Sequence, residues 1–314
     1  MRWYISFHGG GDEPHTWNNI HSFSLDGQPL GKVLATDAMP HGLALRELRG
    51  FAFGPDGDLY VANAYRNASQ VLRFGGKRDD DGRHPFLAVY VEQHHANPGL
   101  AHPFDVVFGP DGHLYVPSQD TNLVGRYYGP DAAPDERGAP MPHPPALVGA
   151  GTDLLPGTFV PSEKHLRSGV RTVRRAVFGP GGTLFVADRD ANCVKLYDGE
   201  TGAFLHEYRH HHLTTPVHLL WHEDGGRLLV GSRDRNAILA IDPDEGTVTP
   251  FVQPGAGGLR GPAGMAFGAD GALYVSSRET KQILRFDPAS GELDRTPFID
   301  GLEDFPEFLA LIRD

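Results

Sequence analysis

One cysteine in 314 residues, Cys193, excludes an intrachain disulfide framework and leaves a small buried side chain as its ordinary role. Long apolar runs are lacking, and none approaches the roughly 20 residues that cross a bilayer as a helix. The N-terminal stretch Met1-Arg2-Trp3-Tyr4-Ile5-Ser6-Phe7-His8 falls short of the roughly seven apolar residues of a secretory leader, so a cytoplasmic location is expected. Cations are in deficit, with 28 Lys and Arg against 40 Asp and Glu. The formal net charge of -12 argues against nucleic acid or an anionic membrane as a partner.

What the chain has instead is turn formers, 40 Gly and 26 Pro, beside 39% hydrophobic residues, enough to enclose a sizeable core. They fall into a recurring pattern. Val106-Val107-Phe108-Gly109-Pro110-Asp111-Gly112-His113-Leu114-Tyr115-Val116 has close copies at Ala52 to Val61, Val177 to Val186 and Ala266 to Val275, and a worn one at Leu220 to Val230. A short apolar run, a Gly/Pro/Asp cluster and an aromatic or β-branched run together predict two antiparallel strands and a tight turn. A third and a fourth strand follow each hairpin, as in Val194 to Tyr197 and Ala203 to His206, and four antiparallel strands make one propeller blade.

The ends complete the count. The chain starts on a second-strand pattern, Trp3-Tyr4-Ile5, with no innermost strand before it, and Phe305 to Ile312 supplies an innermost strand with nothing after it. The expected fold is all-β: a single domain over residues 1–314, a six-bladed β-propeller of four-stranded antiparallel blades. N- and C-terminal strands share the closing blade, with Asp314 near Arg2.

The stretches Pro262-Ala263-Gly264-Met265-Ala266-Phe267 and Leu184-Phe185-Val186-Ala187-Asp188 resemble the NHL repeat, and the chain is similar to the gluconolactonase, strictosidine-synthase and virginiamycin B lyase group of propellers. That resemblance implies the six-bladed fold and leaves function open among lactonases, lyases, ring-forming enzymes and binding scaffolds. In gluconolactonases a metal-binding Asn or Asp directly follows the Pro that opens an innermost strand. Here those positions are Phe104, Val217 and Ala263, with Glu307 the one oxygen ligand among them, so a lactonase metal site does not carry over.

Candidate site residues come from the face built by the second-to-third-strand loops and the connections between blades. His8, His15, His41, His94, His95, His102, His165, His210, His211, His212 and His218 map there, most of the 17 histidines. Such a face suits acid/base work or metal ligation, and solvated loop histidines are the alternative. Counting back three places from Phe53, Phe108, Phe178, Trp221, Phe267 and Leu311 gives Gly50, Asp105, Arg175, His218, Gly264 and Phe308. Asp105, Arg175 and His218 stand in successive blades and are expected to converge at the channel mouth, as a catalytic group or as a polar plug.

The roles expected of them are His218 as general acid/base, Arg175 holding an anionic group, and Asp105 orienting the imidazole. Arg189, Arg233 and Arg278, in loops that recur from blade to blade, bind an anionic substrate if they turn toward the channel. His165 joins them from the long connection Gly151 to Thr172, expected as a lid over the mouth. The cofactor this composition allows is a divalent metal ion, Zn or Ca, with His8, His102 and His218 as first ligands. Two function classes follow: a hydrolase or lyase acting on a small anionic molecule, and a non-catalytic scaffold for a protein or peptide.

Overall fold

In three of the hairpins the Asp closes the turn with its own side chain. Asp56 accepts from Asp58 N at 3.3 Å and from the Tyr60 hydroxyl at 3.0 Å; Asp111 serves His113 N and Tyr115 at 3.1 and 2.9 Å, and Asp270 serves Ala272 N and Tyr274 at 3.1 and 3.0 Å. The Gly that follows, at 57, 112 or 271, has φ between +74° and +80°, where a side chain would be strained. Where Gly181 replaces the Asp, Phe185 replaces the Tyr, so neither an acceptor nor a hydroxyl is stranded.

The computed structural model describes residues 1–9, 17–65, 69–149, 153–293 and 297–313. It is a six-bladed β-propeller whose helical content among those residues is three short 3-10 turns. Blade 1 joins Pro306–Ile312 to Arg2–Phe7, Ile20–Phe23 and Pro29–Lys32. Its closing register pairs Arg2 with Ile312 and Trp3 with Leu311, the expected union of the chain ends. Asp314 lies outside the described residues. Blade 2 holds Leu48–Phe53, Leu59–Asn63, Gln70–Phe74 and His84–Glu92, with Leu34–Ala35 added in parallel at its rim.

Blade 4 is Val173–Phe178, Thr183–Asp188, Cys193–Asp198 and Phe204–Tyr208, and blade 5 is Pro216–His222, Arg227–Ser232, Ala237–Asp242 and Thr247–Val252. In blade 6, Pro262–Phe267, Leu273–Ser277 and Gln282–Phe286 form the sheet, and single bridges to Leu293 and Ile299 stand for a fourth strand. The innermost strands neighbour one another around the ring. Between blades the hairpin aromatic of one packs on the next, Tyr60 on Phe108 and Tyr115 on Phe178 at 4.9 Å, and Trp3 closes onto Tyr274 at 4.4 Å.

Blade 3 corrects one expectation. It consists of Val107–Phe108, Leu114–Ser118, Leu123–Tyr127 and Thr158–Val160, so the middle of the supposed lid is an outermost strand. The segment after it is tied to the side of blade 4. Lys195 Nζ donates to Gly169 O, Tyr197 donates to Ser168 O at 2.7 Å, and Asp188 accepts from the backbone N–H of Arg171 and Thr172, both at 2.9 Å. An acceptor pair and a buried lysine hold this connection down along the blade edge, away from the channel mouth.

Candidate functional site

Every innermost strand carries one residue too many where it enters the channel. In blade 4, Val173 faces Asp188 and Ala176 faces Val186, so Arg174 and Arg175 share the single partner Ala187. The same shift puts Arg49-Gly50 opposite Ala62, Val217-His218 opposite Gly231, Ala263-Gly264 opposite Ser276 and Glu307-Phe308 opposite Ser6. Bridging of Pro103 to Ser118 and of Val107 to Tyr115 gives Phe104-Asp105 the same place in blade 3. A bulge re-aims the side chains of the strand that carries it. Six of them in register give the channel two rings of side chains.

The inner ring is the column read from the sequence, and Asp105, Arg175 and His218 do converge in it. Arg175 Nη1 stands 2.9 Å from Asp105 Oδ2 while its Nε donates to Leu219 O at 2.9 Å. Phe308 packs between the other two, with the Arg175 guanidinium 5.2 Å from its centroid and the His218 ring 5.2 Å away edge-on. The two glycines of the ring are spaces that neighbours need. A Cβ on Gly50 would lie 1.9 Å from Asp105 Oδ1, and one on Gly264 would lie 2.3 Å from Glu307 O.

Asp105 is 0% and His218 2% exposed. Burial pushes the Asp105 carboxyl up to about 6 against the pull of Arg175 and the Val106 N–H. Burial, and then Arg175, holds the His218 imidazole well below its ordinary value, and its Nδ1 has no hydrogen-bond partner among the described residues. His218 stands one layer below the mouth, where burial favours the neutral ring. It does not line the cavity above but packs beneath it, edge-on to Phe308.

The outer ring is Arg49, Phe104, Arg174, Val217, Ala263 and Glu307, and all six line a cavity of about 150 Å³ together with His8, Gln119, Arg233 and Arg278. Glu307, 5% exposed, accepts from Arg49 Nη1 at 2.9 Å and Arg278 Nε at 2.8 Å. Burial works to raise its carboxyl, but Arg49 and Arg278 outweigh it and hold it below the usual range. Arg49 also reaches Glu47 at 3.3 Å. Arg174 is different. It is 6% exposed, donates to its neighbour's Val173 O at 2.9 Å, lies 5.1 Å from the Phe104 centroid, and has no ion pair among the described residues. Burial, followed by Arg189, Arg49 and Arg233, brings it down to about 9. The guanidinium of Arg233 has neither a hydrogen bond nor an ion pair among the described residues.

Of the three loop arginines, Arg233 and Arg278 thus turn to the mouth, whereas Arg189 pairs with Asp190 at 2.6 Å beside a separate cleft between blades 4 and 5. The recurring loops around them are also stitching: Asn192 accepts from Thr215 N and Asn236 from Gly261 N of the following blade, both at 2.8 Å. His165 is exposed on the connection tied to blade 4 and is absent from the cavity wall. His210, His211 and His212 pack on one another with tilted rings, outside that wall. His15 lies outside the described residues.

The three histidines expected to ligate a metal keep separate company. His8 has Nδ1 3.2 Å from Gly9 O and Nε2 3.7 Å from Glu47 Oε1. His102 is buried with Nδ1 3.9 Å from Asp120, and burial and Arg49 lower its pKa. Among the described residues no group of three or more His, Cys, Asp and Glu is arranged to hold a metal ion.

The sequence reading missed Arg49 and Arg174. Glu307, Phe104, Val217 and Ala263 were found through the Pro that precedes each, but blades 2 and 4 open on Leu48 and Val173. Counting back four places from Phe53 and Phe178 would have reached both arginines.

No protein family and no curated protein matches the sequence. Solved structures do match the fold. Catalytically inactive virginiamycin B lyase from Staphylococcus aureus with quinupristin has 16% identity and a TM-score of 0.58 over 95% of this chain and 85% of that one. The periplasmic gluconolactonase of Pseudomonas aeruginosa has 17% identity and a TM-score of 0.57, with 98% of each chain covered. The nidogen/laminin complex matches with 12% identity and a TM-score of 0.62 over 98% of this chain and 97% of that one. At such identities the likeness is one of fold.

Proposed function

We propose that the chain is a small-molecule enzyme of the hydrolase or lyase type whose substrate sits in the channel mouth, above the outer ring. The observation that carries this is the convergence of His8, Gln119, Glu307 and four arginines from all six blades on one small cavity at the propeller axis. His8 is the proton-transfer group in this reading. A carbonyl oxygen only accepts, so Gly9 O fixes the proton on Nδ1 and leaves Nε2 for a substrate, and Glu47, 3.7 Å from Nε2, favours the ring once it has taken up a second proton. Arg49 and Arg278 are held in place by Glu307 and face the oxygen on which charge develops. Asp105, Arg175 and His218 act as positioning groups that keep the floor of the cavity rigid.

Lyase and lactonase propellers of the same fold support the enzyme class, and the nidogen/laminin complex supports the second reading, a non-catalytic scaffold for a protein or peptide partner. A panel of lactones, esters and elimination substrates, assayed with the wild type and His8→Ala, separates the two. The expected result is turnover of at least one member, reduced roughly 100-fold or more in His8→Ala with an unchanged melting temperature. Absence of turnover across the panel would leave the scaffold reading in front, whereas a His8→Ala enzyme as active as the wild type would remove His8 as the proton-transfer group.

A further inference from the structure

The charged side chains lining the cavity divide into two electrostatic halves. On the side of blades 6, 1 and 2, Arg278, Glu307 and Arg49 satisfy one another. On the side of blades 4 and 5, Arg174 and Arg233 have no carboxylate partner among the described residues, although the chain as a whole carries an excess of acids. The acids within reach are engaged elsewhere. Asp190 accepts from Thr172 Oγ1 and Arg189 Nε, both at 2.6 Å, Asp234 accepts from Thr215 Oγ1 at 2.5 Å, and Asp105 is paired with Arg175 in the ring below.

A guanidinium cannot shed its proton near neutral pH, and one that is buried beside a second without a counter-ion is costly. Burial and the neighbouring arginines lower Arg174 for that reason, and it is still charged at neutral pH. Two unpaired forks facing a cavity match the two oxygens of a carboxylate or the face of a phosphate.

We infer that Arg174 and Arg233 form a dedicated subsite for the carboxylate or phosphate head of a small ligand, with Gln119 beside it. Glu307, on the opposite wall, faces the neutral hydroxyl-bearing end. At about 150 Å³ the cavity is well below the roughly 300 Å³ at which drug-sized ligands begin, so it takes a head group and a short tail. This rests on the reading of the mouth as the substrate site and specifies what that site selects.

The test is calorimetric titration of the full chain with inorganic phosphate and with malonate at constant ionic strength, beside thermal melts with and without each anion. Expected is saturable one-to-one binding of at least one probe, weakened at least tenfold in Arg174→Gln and in Arg233→Gln and unchanged in Arg189→Gln. Without anion, Arg174→Gln should melt at or above the wild-type temperature, because a buried uncompensated charge has been removed; a purely structural arginine would give a lower one. Absence of binding by both probes, wild-type affinity in the two mouth variants, or equal weakening in Arg189→Gln would overturn the subsite. Anion binding without turnover of any assay substrate sinks the enzyme reading alone. Turnover of an anionic substrate undiminished in Arg174→Gln sinks the subsite alone.

Discussion

Asp105 and Glu307 are buried carboxylates one ring apart, and their acidities move in opposite directions. Glu307 has two arginines against its oxygens, while Asp105 has one arginine and one backbone N–H, too little to offset full burial. A carboxyl raised from an ordinary 3.8 to about 6 binds its proton more tightly in the folded state. Its contribution to stability is therefore neutral below pH ~4 and becomes unfavourable as pH rises to about 6, on the order of 2 to 3 kcal/mol in all. Denaturant titrations of the wild type and Asp105→Asn from pH 3.5 to 7.5 should show the wild type losing ground to the variant across pH 4 to 6, with a constant difference above that. A difference that is flat with pH would show that Arg175 fully compensates the charge. At this scale the inner ring was legible because a repeat lets columns be compared. What the column does not carry is depth: the residues that line the cavity are one place earlier, at a bulge that no residue type announces.

The hairpins were legible as elements because the turn needs particular atoms: an Asp acceptor, a left-handed Gly, and a Tyr whose hydroxyl returns to the Asp. The connection after blade 3 was read as a lid because Thr158-Phe159-Val160 is too short to show alternation between Gly157 and Pro161. Its anchor is Asp188, fully buried, which takes two backbone N–H groups and stands 3.3 Å from Lys195 Nζ. Asp188→Ala would leave that buried ammonium with Gly169 O and no counter-ion, and a loss of about 3 to 5 kcal/mol is expected in denaturant unfolding, with anion binding at the mouth unchanged. Retained stability accompanied by weakened binding would restore the lid.

At the scale of the molecule, the ring closes by pairing Pro306–Ile312 with Arg2–Phe7, and that closure brings Glu307 to the same mouth as Arg49 and Arg278. The two termini therefore contribute to the site as well as to the fold, since His8 and Glu307 both belong to blade 1 or its exit. Ring closure was legible from one missing strand and one spare strand. The charge distribution was less so: an overall -12 hides a mouth lined by four arginines and one glutamate, because acids dominate the counts elsewhere. The most direct measurement is an anomalous-difference map from crystals of the full chain soaked in selenate, a tetrahedral dianion that marks its own position. The account predicts a peak in the channel mouth within hydrogen-bonding reach of the Arg174 and Arg233 guanidinium groups; selenate bound at other arginines with the mouth empty would contradict it.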